Sequence, residues 1–120
     1  MKSLIIALFL STGAAFAAGS VLIVADEFPA MEVLAAKLKA AEGIDCKIVK
    51  QTEIPADLSQ FRAMVVYIHG DMKDPAEKAF INYARGGGRL ILLHHSISSG
   101  KRRNQFWIPF VSYLMLCVVT

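Results

Sequence analysis

The chain has 120 residues, of which 55% are hydrophobic and 19% are charged, and its formal net charge at pH 7 is +3. This length suits one domain, since single domains are usually roughly 50–200 residues long. The basic residues are scattered apart from the run Lys101-Arg102-Arg103. Because nucleic-acid-binding surfaces concentrate Lys and Arg on one face, we expect no nucleic-acid partner.

Residues 1–17 have the pattern of a secretory signal peptide. Lys2 supplies a positive charge, Leu4 to Leu10 form an apolar run, and Ala15-Phe16-Ala17 match the small-residue cleavage pattern. The run is shorter than the roughly 20 residues that a membrane-spanning helix needs. We therefore expect cleavage near Ala17 and export to the periplasm or the extracellular space.

The first predicted strand and helix follow. Val21 to Ala25 is continuously apolar, as is typical of a strand that is buried on both faces of a sheet. A helix is predicted from Pro29 to Gly43, because Pro is tolerated in the first helical turn and Gly ends helices. Its apolar positions at helical spacing are Met31, Val33, Leu34, Leu38 and Ala41.

Three further strands and one helix are predicted. Residues 44–49 alternate apolar and polar side chains, which indicates an edge strand, and Met64 to Ile68 is a second continuously apolar strand. Asp74-Pro75 begins a helix that ends at the glycines 86–88, and Arg89 to Leu93 forms the fourth strand. The helix has a predicted apolar side of Phe80, Ile81 and Ala84 and a predicted polar side of Glu77, Lys78, Asn82 and Arg85.

This order of elements predicts an α/β fold with a three-layer, flavodoxin-like parallel sheet. The most apolar strands belong inside the sheet, which gives the strand order 2-1-3-4. From Phe106 the chain is almost wholly apolar and is interrupted by Pro109. We therefore expect residues 111–120 to be an apolar tail without a stable membrane span, the sheet to be incomplete at its C-terminus, and the chain to be a truncated or frame-shifted product.

Polar side chains follow three of the predicted strands, and ligands bind at the carboxyl ends of parallel strands. His94 and His95 follow the fourth strand and are the candidate catalytic residues, since imidazole exchanges protons near neutral pH. The candidate substrate-binding residues are Asp26, Glu27, His69 and Ser96. The structural alternative is that these side chains only hydrogen-bond their own loops.

No cofactor and no metal ion is predicted. The glycines 86–88 end a helix, whereas dinucleotide-binding glycines open one. Metal binding by His69, His94 and an acidic residue is disfavoured, because adjacent histidines on extended chain point in different directions. Ser96 lacks the G-x-S-x-G pattern of serine hydrolases. Cys46 and Cys117 have no metal-binding spacing and are interpreted as buried thiols, with their oxidation state left open.

Residues Gly86 to Trp107 resemble the strand and following loop of trehalose-utilisation (ThuA-like) domains, and Val21 to Val24 resembles their first strand. The resemblance assigns such a domain to residues 18–110. It implies a fold related to class I glutamine amidotransferases, in which a nucleophilic cysteine ends the strand before the loop. His94 is at that place here, which implies that the chain has no amidotransferase nucleophile. ThuA-like domains are typically longer, which implies that this chain is part of one.

The resemblance implies an exported, carbohydrate-related domain whose ligand is a small carbohydrate. His94 would then act as general acid or base toward a sugar hydroxyl or carbonyl group. The alternative is a non-catalytic binding or interaction module, or an inactive fragment. The sequence leaves open whether the chain is an enzyme, which reaction it would catalyse, and its oligomeric state.

Overall fold

The structure, a computed structural model, describes residues 19–93 and Ser96. Its elements in chain order are β1 (Ser20–Ala25), α1 (Pro29–Glu42), β2 (Cys46–Val49), β3 (Phe61–Tyr67), α2 (Asp74–Arg85) and β4 (Leu90–Leu92). The predicted signal peptide, the predicted apolar tail, His94, His95 and Cys117 lie outside the described residues.

The four described strands form one parallel sheet in the order β2-β1-β3-β4. Val24 of β1 lies opposite Val49 of β2 and Val66 of β3, and Val66 in turn lies opposite Leu92 of β4. These four side chains form one apolar row across the sheet. The predicted α/β class and the strand order 2-1-3-4 are confirmed.

The core lies on both faces of the sheet, with β1 at its centre. Leu22 points to the face on which Phe80 of α2 packs, whereas Ile23 points to the face on which Met31 of α1 packs. Both residues of β1 are 0% exposed. Because successive side chains of a strand point to opposite faces, a strand covered on both sides must be apolar throughout, as β1 is.

Helix α1 begins and ends where the sequence predicts. Pro29 opens the helix, and Gly43 ends it in the left-handed conformation, with φ at 67°, while its N–H donates to carbonyl groups of the last turn. The predicted apolar face is only partly right. Met31 is buried, but Val33 is 57% exposed, because a residue two positions further along a helix points to nearly the opposite side.

Strand β3 begins at Phe61, three residues before the predicted start at Met64. Ser20 pairs with Phe61 and Val21 pairs with Ala63, so Arg62 is an extra residue on β3, a β-bulge. The bulge explains why the predicted start of β3 is wrong, because Arg62 is an exposed cation at a position where a buried strand would have an apolar residue. Strand β4 is also shorter than predicted, and its Ile91 is 49% exposed.

Glu77 lies in the core, so its predicted place on the polar side of α2 is wrong. Its side chain is 0% exposed. The physical reason is spacing, because Glu77 precedes Phe80 by three residues and Ile81 by four, and such positions share one side of a helix. It also lies in the first turn of α2, where the helix dipole favours a carboxylate.

Candidate functional site

Asp26 and His69 meet at the carboxyl edge of β1 and β3. Ala25, the last residue of β1, pairs with Tyr67, the last residue of β3. The backbone N–H of Asp26 donates to the Tyr67 carbonyl at 3.3 Å. The parallel register therefore places the residues that follow these strands side by side, at the edge where such sheets bind ligands.

The carboxylate of Asp26 holds the loop that follows β3. Its Oδ2 accepts hydrogen bonds from the backbone N–H groups of His69 at 2.8 Å and Gly70 at 2.6 Å, and its Oδ1 lies 3.0 Å from the His69 nitrogen. Burial raises the pKa of Asp26, but the backbone hydrogen bonds from Gly70 and His69 outweigh it and hold this pKa below its usual value. Asp26 is therefore ionised at neutral pH.

The loop also depends on the absence of a side chain at Gly70. A Cβ atom at this position would lie 3.2 Å from Oδ2 of Asp26. That is closer than ordinary van der Waals contact, so a larger residue would push against the carboxylate. Gly70 thus lets the backbone approach Asp26 closely enough for the short hydrogen bond.

The imidazole of His69 lies beside two carboxylates and an aromatic ring. Its Nδ1 is 3.5 Å from Oε2 of Glu27 and 3.8 Å from Oδ1 of Asp26, and both distances are longer than a typical N–H···O hydrogen bond. Its ring meets that of Tyr67 edge to face, with centroids 4.6 Å apart. The ring is therefore oriented by its surroundings.

Part of this site is open to a ligand. The His69 side chain is 25% exposed and its Nδ1 is shielded, so the exposed part of the ring consists of its other atoms. The Glu27 side chain is 63% exposed. A small molecule at this edge could therefore contact the imidazole of His69 and the carboxylate of Glu27, while Asp26 holds the backbone of His69.

Ser96 attaches the segment after β4 to the end of β3. Its hydroxyl oxygen accepts a hydrogen bond from the Ile68 N–H at 2.8 Å, and the residue is 1% exposed. Its own N–H donates to the Leu93 carbonyl at 3.1 Å. The structure thus gives Ser96 an internal role beside His69, and its contact with a substrate stays a prediction.

The predicted catalytic residues His94 and His95 lie outside the described residues. On either side of them, Leu93 donates its N–H to the Val66 carbonyl at 2.9 Å and Ser96 is bonded to Ile68. The chain before and after the two histidines is therefore held against the end of β3. The catalytic role of the histidines stays a prediction.

Glu77 is a titratable residue near this edge that the residue pattern alone does not select. Helix α2 begins a few residues after His69, and Glu77 lies in its first turn with its carboxylate buried. Burying a carboxyl group is costly unless other groups compensate it. The signal that would have found it is the helical spacing of Glu77, Phe80, Ile81 and Ala84.

The described residues offer no ready metal site and no membrane-crossing helix. Within 19–93 and Ser96, no three His, Cys, Asp or Glu side chains are grouped so that they could hold a metal ion. Neither α1 nor α2 is long and apolar enough to cross a bilayer. Cys46 is a free thiol, and burial together with the charge of Asp45 raises its pKa, so it is protonated at neutral pH.

The fold and this edge define an α/β protein with a four-stranded parallel sheet and a histidine placed beside two carboxylates at the carboxyl edge of the sheet. No protein-family model, curated protein or solved structure matches the chain. Its function must therefore be inferred from the chemistry of the site.

Proposed function

We propose that the chain is an exported ThuA-like domain with a flavodoxin-like fold related to class I glutamine amidotransferases. In this proposal it binds a small carbohydrate at the carboxyl edge of β1 and β3. The observation that supports it is the His69 ring, which lies within 4 Å of carboxylate oxygens of both Asp26 and Glu27 at the edge where parallel sheets bind ligands.

The chemistry of the three side chains fits a polyhydroxylated ligand. Carboxylate oxygens accept hydrogen bonds from sugar hydroxyl groups, and an imidazole both donates and accepts them. Glu27 and His69 therefore contact the ligand, and Asp26 positions the His69 loop. His94 is the proposed general acid or base toward a hydroxyl or carbonyl group, with His95 beside it.

The second candidate is a binding module without catalysis. Two of the proposed binding residues already use their side chains on backbone groups, since Asp26 binds the N–H groups of His69 and Gly70 and Ser96 binds that of Ile68. Such side chains shape a pocket without exchanging protons with a ligand. This observation favours binding alone.

Titration with trehalose and with glucose tests the proposal, with proton NMR of the imidazole C2–H groups as readout. The chain has three histidines, so the spectrum is simple, and His69→Gln assigns one signal. We expect the His69 signal to move on addition of a sugar. Glu27→Gln keeps an acceptor but loses the charge, so it should remove about half of the roughly 1.5–3 kcal/mol of a charged hydrogen bond and weaken binding by up to about tenfold.

The matched control is Asp45→Asn. It also neutralises an exposed carboxylate, but one that lies outside the candidate site. Oδ1 of Asp45 pairs with Nζ of Lys39 at 2.8 Å. Equal weakening by Asp45→Asn and Glu27→Gln, or no movement of any histidine signal with either sugar, would show that the carbohydrate site is wrong. Turnover of trehalose that His94→Ala abolishes supports an enzyme, and binding without turnover supports the module.

A further inference from the structure

A groove of about 1180 Å³ lies along α2, on the face of the sheet opposite α1. The connection between β2 and β3 forms one wall, and α2 with the glycine turn at 86–88 forms the other. None of Asp26, Glu27, His69 and Ser96 lines it. The groove is therefore separate from the candidate carbohydrate site, and a ligand there is independent of the proposed function.

The floor of the groove is apolar. Residues 50–60, which join β2 to β3, form no helix, and α2 is the helix that packs on this face within the described part of the chain. Ile54 and Leu58 of the connection are partly buried residues that pack against the core cluster, and they line the groove together with two buried members of that cluster, Phe61 of β3 and Ala76 of α2. This surface favours apolar side chains of a partner, because their burial removes apolar area from water.

Among the described residues, the charged ones that line the groove are all cations, namely Arg62, Lys73, Lys78 and Arg89. Arg62, Lys73 and Arg89 take part in no ion pair with another residue of the described part of the chain. The nearby carboxylate of Asp57 accepts hydrogen bonds from the backbone and hydroxyl of Ser59, at 2.9 and 2.6 Å. The groove thus combines an apolar floor with a positive rim.

The groove follows α2 from one end to the other. Lys73 occupies the N-cap position of α2 and Arg89 follows its end, and a helix of 12 residues is about 18 Å long. The groove therefore has cations at both ends, and the distance between its ends is about the length of a three-turn helix.

The chain's own terminal segments do not supply the complementary charge. Residues 1–18 and 94–120 contain no Asp and no Glu, and the second segment contains Lys101, Arg102 and Arg103. The tail would bring apolar side chains but more positive charge. Charge complementarity therefore favours an acidic occupant over either of these two segments.

We propose that this groove binds an acidic amphipathic helix of a partner protein. The helix would place apolar side chains at positions i, i+3, i+4 and i+7 on the groove floor, as helices in grooves generally do. Its Asp and Glu residues would face Arg62 and Arg89 at one end and Lys73 at the other. The cations set the orientation and the association rate, and the partly exposed Ile54 and Leu58 add affinity when apolar side chains of the helix cover them.

The probe is a set of fluorescein-labelled model peptides of about 12 residues, matched to α2 in length. Each has leucines at i, i+3, i+4 and i+7 and flanking glutamates, with the leucine stripe in a different register in each peptide. The control peptides carry lysine in place of every glutamate. Fluorescence anisotropy with the full chain should show that an acidic peptide binds and that its lysine counterpart does not, and added NaCl should weaken the binding.

The variant Lys73→Glu/Arg89→Glu should weaken binding of the acidic peptide about tenfold. It removes two exposed ion pairs with the peptide, and each such pair contributes up to about 1 kcal/mol. The matched control is Lys47→Glu, a charge reversal on an exposed residue of β2 that does not line the groove. Far-UV circular dichroism checks that both variants fold.

Three results would overturn the proposal. One is equal binding of acidic and lysine peptides, and another is equal weakening by Lys47→Glu and by the double variant. The third is that no acidic peptide binds. If light scattering then shows that the chain self-associates and that the double variant is monomeric, the occupant is a second copy of the chain.

Discussion

Asp26→Ala is expected to destabilise the protein by about 3 kcal/mol. The carboxylate accepts hydrogen bonds from two backbone N–H groups, those of His69 and Gly70. A hydrogen bond to a charged group contributes roughly 1.5–3 kcal/mol, and the lower value applies here because the side chain is 27% exposed. Asp26→Asn keeps an acceptor but loses the charge, so its expected cost is about half as large, about 1.5 kcal/mol.

Urea denaturation at several pH values measures this effect. The lowered pKa of Asp26 means that its contribution to the free energy of unfolding is complete above its unfolded pKa, about 3.9. The contribution is lost as the pH falls through the lower pKa of the folded state. The free energy of unfolding of the wild type should therefore exceed that of Asp26→Asn by a constant amount from pH 7 to about pH 5, and this excess should shrink below about pH 4.

Asp45→Asn is the control, because its exposed pair with Lys39 should contribute less than about 1 kcal/mol. An unchanged slope of free energy against urea concentration shows that the variants differ in stability and not in the extent of unfolding. A cost of Asp26→Ala below about 0.5 kcal/mol would mean that the carboxylate does not hold the loop. If the wild type and Asp26→Asn still differed by the same free energy of unfolding at pH 3, the stabilisation would not come from the negative charge of Asp26.

Two further variants test the core and the thiol. Gly88→Ala should cost about 1–3 kcal/mol in thermal unfolding, because a Cβ atom at this position would overlap the ring of Tyr83, and an unchanged midpoint would contradict that packing. In the variant Cys117→Ser, Cys46 should react with Ellman's reagent more slowly at pH 8 than free cysteine does, because burial and Asp45 raise its pKa. Reaction at the rate of free cysteine would show that this thiol is not shielded.

The fold is predictable because its main determinants are local in sequence. A strand covered on both faces needs apolar side chains on both, which makes Val21 to Ala25 recognisable without any knowledge of its neighbours. Gly43 marks the end of α1 because few other residues adopt its positive φ at low cost. With these elements located, burial of the most apolar strands implies the strand order.

The errors arise where local pattern and tertiary contact disagree. Arg62 is an exposed bulge residue, so the start of β3 does not look like a strand. Glu77 is charged, so its residue type indicates the polar side of α2, although its spacing from Phe80 and Ile81 places it in the core. In the first case the bulge allows an exposed charged residue within a strand, and in the second the helical geometry buries a charged residue.

The candidate site is predictable in location but not in geometry, because its contacts join residues far apart in the chain. The loop between β3 and α2 is held at one end by Asp26, which binds the N–H groups of His69 and Gly70. It is held at the other end by Gln51, whose side-chain amide donates to the Asp71 carbonyl at 3.0 Å and accepts from the Lys73 N–H at 2.8 Å. Neither anchor belongs to the loop, so the sequence of the loop alone could not specify its path. Because Gln51 also lines the groove, one short loop connects the carboxyl edge of the sheet to the cationic surface along α2.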